Sequence, residues 1–246
     1  MKQRLLNILS VDLLNTIRVN SQLPFKQFVK FPIWVYKCKV DSLPPPHNGI
    51  VIDCNCIKSG MIRLGLRTSG LYMSKNGINI NISESGQLIF KGPGYMGNNS
   101  SIEIGPNGKI FFGANFGITS TFRIACHQLI SIGENFSCSW EVNVFDTDFH
   151  ELVDLITRTA QESIKPVYIG NDVWVCQRVT ILKGSYIPDR GTIGACSLVA
   201  NSFHNSPLNS IFAGVPAKFL KTGYVRREFL NFEKQPINNI VKYLNL

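Results

Sequence analysis

The chain has 246 residues, 44% of them hydrophobic, enough for one sizeable core, and no Pro/Gly/Ser-rich linker divides it into two globular halves. Its 25 Lys and Arg against 16 Asp and Glu leave a formal charge of +9, which favours an anionic partner such as a phosphorylated cofactor, an acidic glycan or a membrane surface. The basic residues are scattered, with no arginine-rich run and no helix-turn-helix or zinc-finger spacing, so nucleic acid is not an expected partner.

In chain order, Leu5, Leu6, Leu9, Leu13 and Ile17 fall at helical spacing and predict a helix over 2–18. Polar residues interrupt every apolar stretch before signal-peptide or membrane-spanning length is reached, so neither export nor a spanning helix is expected. The segment 25–31 mixes aromatics with lysines, a composition that suits a lipid interface as well as packing against a partner. Residues 1–47 are thus read as a helical and extended cap.

From 48 to about 90, alternation such as Ile78-Asn79-Ile80-Asn81-Ile82 predicts short strands. Ile104, Ile110, Phe116 and Phe122 are six apart, as are Ile132, Cys138 and Val144, the last three each preceded two residues earlier by Ile130, Phe136 and Val142. The period is most regular where Ile169, Val175, Ile181, Ile187, Ile193 and Val199 recur by six, with small or β-branched residues mostly occupying the positions four after each. Turn formers such as Gly170-Asn171-Asp172 and Pro188-Asp189-Arg190 separate these pairs.

A helix needs apolar spacing near 3.6, and hairpins need longer strands. A strict six predicts a triangular coil in which three hexapeptides complete a turn and the turns stack in parallel, a β-helix solenoid over 48–220. The stretch 151–166 breaks the repeat and is expected to project from the prism. Residues 221–246 predict a closing helix, interrupted at Pro236, with Phe229, Phe232, Ile240 and Tyr243 on its apolar side. The seven cysteines are an odd number, and Cys54 and Cys56 have no second close pair to complete a zinc site. Reduced thiols in a cytoplasmic protein with no bound metal are therefore expected.

Ile169-Gly-Asn-Asp-Val-Trp-Val175, Ile181-Leu-Lys-Gly184, Ile193-Gly-Ala-Cys-Ser-Leu-Val199 and Ala213-Gly-Val-Pro-Ala-Lys218 follow one another in a set order. In these motifs the chain resembles the hexapeptide-repeat acyltransferases, and Ser139-Trp140 followed by Asp146-Thr-Asp-Phe-His150 resembles the branch that acts on bacterial surface polysaccharides. The resemblance covers roughly residues 100–220 well and the rest loosely. It implies a left-handed coil, mainly β with helical extensions at both ends, and transfer of acetyl from acetyl-CoA to a sugar hydroxyl. It also implies a homotrimer, with the donor lying in grooves between neighbouring prisms. A cytoplasmic setting at the inner face of the membrane would suit such a substrate.

For the chemistry, a hydroxyl must lose its proton as it attacks a thioester, and a group titrating near neutrality suits the base. His150 stands where the repeat breaks into the loop, and Asp146 or Asp148 can orient its imidazole. The family motif selects His150, while His47, His127 and His204 are read as structural. On the acceptor side are Trp140, which either stacks on a sugar or packs in the coil, and Asn143. On the donor side the resemblance implies Trp174, Cys176, Ala195, Ser197 and Pro216. Lys218 is expected to meet CoA phosphates, and Lys183 does so or is simply a solvated turn lysine. Cys176, where glycine is common in the family, and the stretch 200–206 depart from the family pattern near that crevice.

Three other readings share the coil. N-acetylation of an amino sugar would use the same base and donor. A zinc-dependent hydratase needs three converging histidines, and four histidines at 47, 127, 150 and 204 offer no close pair. A non-catalytic scaffold or glycan-binding solenoid would have no use for His150 or the 213–218 motif.

Overall fold

The computed structural model describes residues 10–46, 48–68 and 76–230. The chain winds as a left-handed parallel β-helix with three faces. The first face stacks Ile33–Val35, Ile62–Leu66, Gly94–Gly97, the start of Phe116–Cys126, the start of Ser137–Phe145, Trp174–Val175, Thr192–Ile193 and Ile211–Gly214. The second stacks Lys39–Ser42, Ile78–Ile82, Ser100–Ile104, the later halves of the two long strands, Thr180–Ile181 and Leu198–Val199. Ile50–Ile52, Gln87–Phe90, Lys109–Phe112, Leu129–Ile132, Val167–Ile169 and Tyr186–Ile187 make the third. Neighbours on each face are parallel until the closing hairpin, where Ile211–Gly214 turns back on Ala217–Lys221.

Alternation along each short strand sends one set of side chains inward, and the parallel register stacks like on like. On the first face Leu64, Met96, Ile118, Cys138, Val175, Ile193 and Phe212 form one column. Ile80, Ile102, Ile124, Val144, Ile181 and Val199 form the second, and Ile52, Phe90, Phe112, Ile132, Ile169 and Ile187 the third. All are buried, and each large apolar side chain contributes about 1.5–3 kcal/mol on leaving water. The sixfold ladder expected from 169 to 199 is the end of these columns.

The corners carry the cost of turning so often. Between the third and first faces, Asn115, Asn135, Asp172, Arg190 and Asn209 all have φ between 55° and 62°. Between the first and second faces, Lys37, Asn99, Thr121, Glu141, Arg178 and Cys196 do the same, with φ from 46° to 59°. A left-handed backbone costs an L residue about 1–2 kcal/mol, least for Asn and Asp. Corner amides offset it by bonding the coil before them, as Asn135 N does to Ala114 O at 2.8 Å and Asp172 N to Glu134 O at 2.8 Å. Side chains add a ladder: Asn115 Nδ2 donates to Asn135 Oδ1 (3.1 Å), and Asn135 Nδ2 donates to Asp172 Oδ1 (2.8 Å).

The amino-terminal cap differs from expectation in two ways. The first coil starts at Ile33 and not near 48, because Ile33–Val35 and Lys39–Ser42 pair with the strands that follow. Helix α1 (Leu13–Asn20) also turns its polar side inward. Asn20 donates to Thr16 O and Ile33 O at 2.7 Å each and accepts from Ile33 N, while Thr16 Oγ1 accepts from Val35 N. The outermost strand has backbone groups with no strand to pair with, and buried backbone groups need partners. That demand outweighs burial of Leu13, Leu14 and Ile17, which stay exposed. Leu5, Leu6, Leu9 and His47 lie outside the described residues. At the other end, the described part of 221–246 holds the last residue of the hairpin and a 3-10 turn at Arg227–Leu230. Phe232, Pro236, Ile240 and Tyr243 lie outside.

Asn135 separates the two contributions at a corner. Replacing it with alanine removes two side-chain bonds and leaves a Cβ residue in left-handed backbone, an expected loss of about 2 kcal/mol. Asn135→Gly is expected to cost about 1 kcal/mol, since glycine adopts that backbone freely. Urea unfolding of the two variants checks this; equal losses would mean that the corner conformation carries no strain.

Candidate functional site

The coil opens where Ser137–Phe145 ends, and Asp146 holds the opening in place. Asp146 is fully buried, and its carboxylate accepts the backbone N–H groups of His127 (2.7 Å), Gln128 (2.8 Å) and Leu129 (2.8 Å) and the Cys126 thiol at 3.3 Å. Of the two candidate aspartates, this one is therefore committed to backbone donors of the preceding coil. Its own backbone stays in register, accepting from Lys165 N at 2.9 Å where the chain returns.

Between these points residues 147–166 project from the corner of the second and third faces. Thr147 bridges to Ile164, and Val153–Asp154 pairs antiparallel with Thr159–Ala160. Asp154 closes the hairpin turn by accepting Ile156 N (2.8 Å) and Thr157 N (3.1 Å), bonds that hold its carboxyl below the usual carboxylate range. Leu155 and Ile156 at the tip are 88% and 94% exposed.

His150 stands exposed at the root of this loop. The residue before it, Phe149, has φ of 62°, an uncommon conformation for a bulky side chain and a local strain of the kind found at working sites. Phe149 N donates to Thr147 Oγ1, and its ring meets His127 and Phe145 edge-on at 5.9 and 5.7 Å. Asp148 pairs with Lys183 at 2.6 Å, and Lys183 also donates to Glu162 O. Lys183 thus braces the loop root instead of standing free in solvent. His127 lines a cleft of about 580 Å³ with Glu151 and residues 160–164. Nothing in the sequence marks His127 or Lys183 for these places, because their partners lie 19 or more residues away.

The donor candidates gather on another edge. Trp174 lies outward on the first face between Ser137 and Thr192, followed at the corner by Cys176 and, one coil later, by the exposed Ala195. Pro216 and Lys218 are exposed in the closing hairpin. Ser197 is buried and accepts Gly214 N at 3.1 Å, so its hydroxyl ties the hairpin to the coil. Burial pushes the Cys176 thiol up, with Arg226 pulling weakly the other way, so it stays protonated at neutral pH. Arg226, which no motif singled out, lies with its guanidinium 5.5 Å from the Trp174 ring and bonds Ser137 Oγ. Trp140 is half-buried near the same corner, and Asn143 sits mid-strand on the second face, donating to Thr180 Oγ1 at 3.4 Å. Within one chain Trp174 lies on the first face, whereas His150 lies in the loop that leaves the end of the second.

No family model matches the chain. WbbJ of Escherichia coli (strain K12), assigned as a lipopolysaccharide biosynthesis O-acetyl transferase, is 29% identical over 157 residues, 54% of this chain and 78% of that protein. Galactoside O-acetyltransferase of the same organism is 32% identical over 129 residues, 52% of this chain and 58% of its own length, less than two thirds of that relative. The chain resembles O-acetyltransferases. Its fold also matches the crystal structure of the polySia specific acetyltransferase NeuO, with a TM-score of 0.51 at 20% identity over 85% of this chain and 98% of that one.

The commitment of Asp146 to backbone predicts a loss of stability on substitution. Asp146→Ala leaves three backbone donors without partners and is expected to cost about 3 kcal/mol or more. Thermal and urea unfolding read this directly. Wild-type stability with lost activity would instead give Asp146 a role at the imidazole.

Proposed function

We propose that this protein is an acetyl-CoA-dependent O-acetyltransferase that modifies a sugar hydroxyl of a surface polysaccharide or its precursor. The observation that carries the reading is the exposed His150 at a strained, braced loop root, in a chain similar to two O-acetyltransferases. In this reading the His150 imidazole takes the proton of the acceptor hydroxyl as its oxygen attacks the thioester carbonyl. The imidazolium then returns the proton to the departing thiolate, so that base and acid are one residue. Asp148 is the nearer candidate to steady the imidazolium, exchanging its bond to Lys183 when substrate orders the loop. Acetyl-CoA supplies the activated acetyl group. The donor edge fits it: Trp174 offers a flat apolar wall, Ala195 is small and exposed, and the exposed Lys218 suits phosphate.

The separation of His150 from Trp174 supports the homotrimer, because a neighbouring prism would bring its Trp174 edge to this chain's His150 loop. The bare apolar tip Leu155-Ile156 suits such a neighbour. Contact with the inner face of a membrane is supported by the exposed Leu13, Leu14 and Ile17 of α1 and by Phe25 and Val29 at α2 (Phe25–Phe28), with Lys26 and Lys30 beside them. No helix among the described residues is long and apolar enough to cross a membrane.

His150→Ala is expected to lower kcat by about 10²- to 10⁴-fold while leaving acetyl-CoA binding intact. Thiol release from acetyl-CoA with saccharide acceptors measures it, and an unchanged rate removes His150 as the base. Mixing chains is a second check. Trimers assembled from His150→Ala and Trp174→Ala chains together would regain about a quarter of wild-type activity, since random assembly leaves that share of interfaces intact. If mixing restores nothing while each variant still assembles, the two residues do not share a site across an interface.

A further inference from the structure

A second concave site lies on the early coils, far from the donor edge. A cavity of about 500 Å³ opens at the corner of the first and second faces, with Lys37, Lys39, Asn79, Asn99, Ser101 and Arg123 in its wall. Among the described residues no Asp or Glu lines it. Lys39 pairs with Asp41 at 3.0 Å, whereas among the described residues Lys37 and Arg123 have no carboxylate within ion-pair distance. Both are exposed. The wall therefore presents two uncompensated cations to whatever enters.

Asn79 adds a neutral polar group, its amide donating to Asp41. Cations flanked by neutral polar groups fit a ligand that carries an anion and hydroxyls side by side, as an acidic sugar does. Asn99 and Ser101 add further neutral polar groups of the kind that meet saccharide hydroxyls.

The position of the cavity ties it to the reaction. Asn79, Ser101, Arg123 and Asn143 occupy directly opposed places on four successive strands of the second face. At strand spacings of about 4.8 Å this column runs roughly 14 Å. It ends on the strand Ser137–Phe145, which leads into the His150 loop. The span exceeds one monosaccharide, so an occupant reaching both places is an oligomer. The candidate CoA residues Trp174, Ala195 and Lys218 sit at the other end of the prism, two or more coils past Arg123, which leaves the cavity to the acceptor.

Resting on the acyltransferase reading, we propose that this cavity is an acceptor subsite that holds a negatively charged sugar unit while a hydroxyl several units along the same glycan is presented to His150. Carboxylated sugars and phosphodiester-linked glycans share this chemistry.

Direct binding to the full-length protein at fixed ionic strength tests it, with hexagalacturonate as the carboxylate probe, a poly(glycerol phosphate) oligomer as the phosphodiester probe and maltohexaose as the neutral one. One anionic probe is expected to bind about tenfold more tightly than maltohexaose, and which one does so identifies the source of charge. Arg123→Gln and Lys37→Asn are each expected to weaken that binding about tenfold with unchanged melting temperature and acetyl-CoA retention. Asparagine tolerates the left-handed backbone at 37. Binding of both anionic probes that is no tighter than the neutral one, or that survives both substitutions, overturns the subsite. Inorganic polyphosphate bound as tightly through the same residues also overturns it, as a generic anion patch. Thiol release with the same oligomers keeps the two readings apart: release without Arg123-dependent binding sinks the subsite alone. Arg123-dependent binding without release from any acceptor upholds the charged-glycan site and sinks the transferase.

Discussion

A chain that turns three times in each coil must place residues in left-handed backbone at fixed intervals, and the rest of this molecule is arranged around that requirement. The corners at Asn115, Asn135 and Asp172 hold because each amide N–H finds a carbonyl on the coil before it and each side chain finds the next. Stacked corners keep the strands short and in register. Register in turn aligns Ile80, Ile102, Ile124 and Val144, or Phe90 and Phe112, into continuous apolar columns. Where Lys37, Thr121, Glu141, Arg178 and Cys196 occupy such corners, local preference has yielded to the geometry of the whole coil.

The same regularity explains how much of the fold is legible in the sequence. From Ile169 to Val199 every inward position follows the period of six, so sequence pattern and fold coincide. Phase changes between 122 and 132 and between 144 and 169 are legible as corners with extra residues. The first coil is not legible, because Ile33–Val35 and Lys39–Ser42 carry no sixfold mark. Helix α1 was legible as a helix but not in its orientation: the side that matters is the one meeting backbone groups of an end strand, and apolar spacing is blind to that demand.

For the site, sequence could name His150 and Trp174 but not their relation. One follows the second face and the other lies on the first, a fact that belongs to winding and not to spacing along the chain. Asp146 and Asp148, two residues apart, were equivalent as letters. Burial divides them, since one meets three backbone N–H groups and the other an ammonium group at a partly exposed surface. Arg226 entered only because the chain after the closing hairpin passes back over Ser137 and Trp174.

Asp146 and the Asp148–Lys183 pair act at the two sides of a gate post: they fix where the projecting segment leaves the prism, independently of what the segment does beyond. Residues from Glu151 to Glu162 make few demands on the coil, and the chain re-enters through Lys165 bonded to Asp146 itself. Length and composition out there can drift without disturbing His150. The protein thereby carries an exchangeable module on a rigid mount, a layout in which about a dozen residues can be rewritten while the coil and the position of His150 stay as they are.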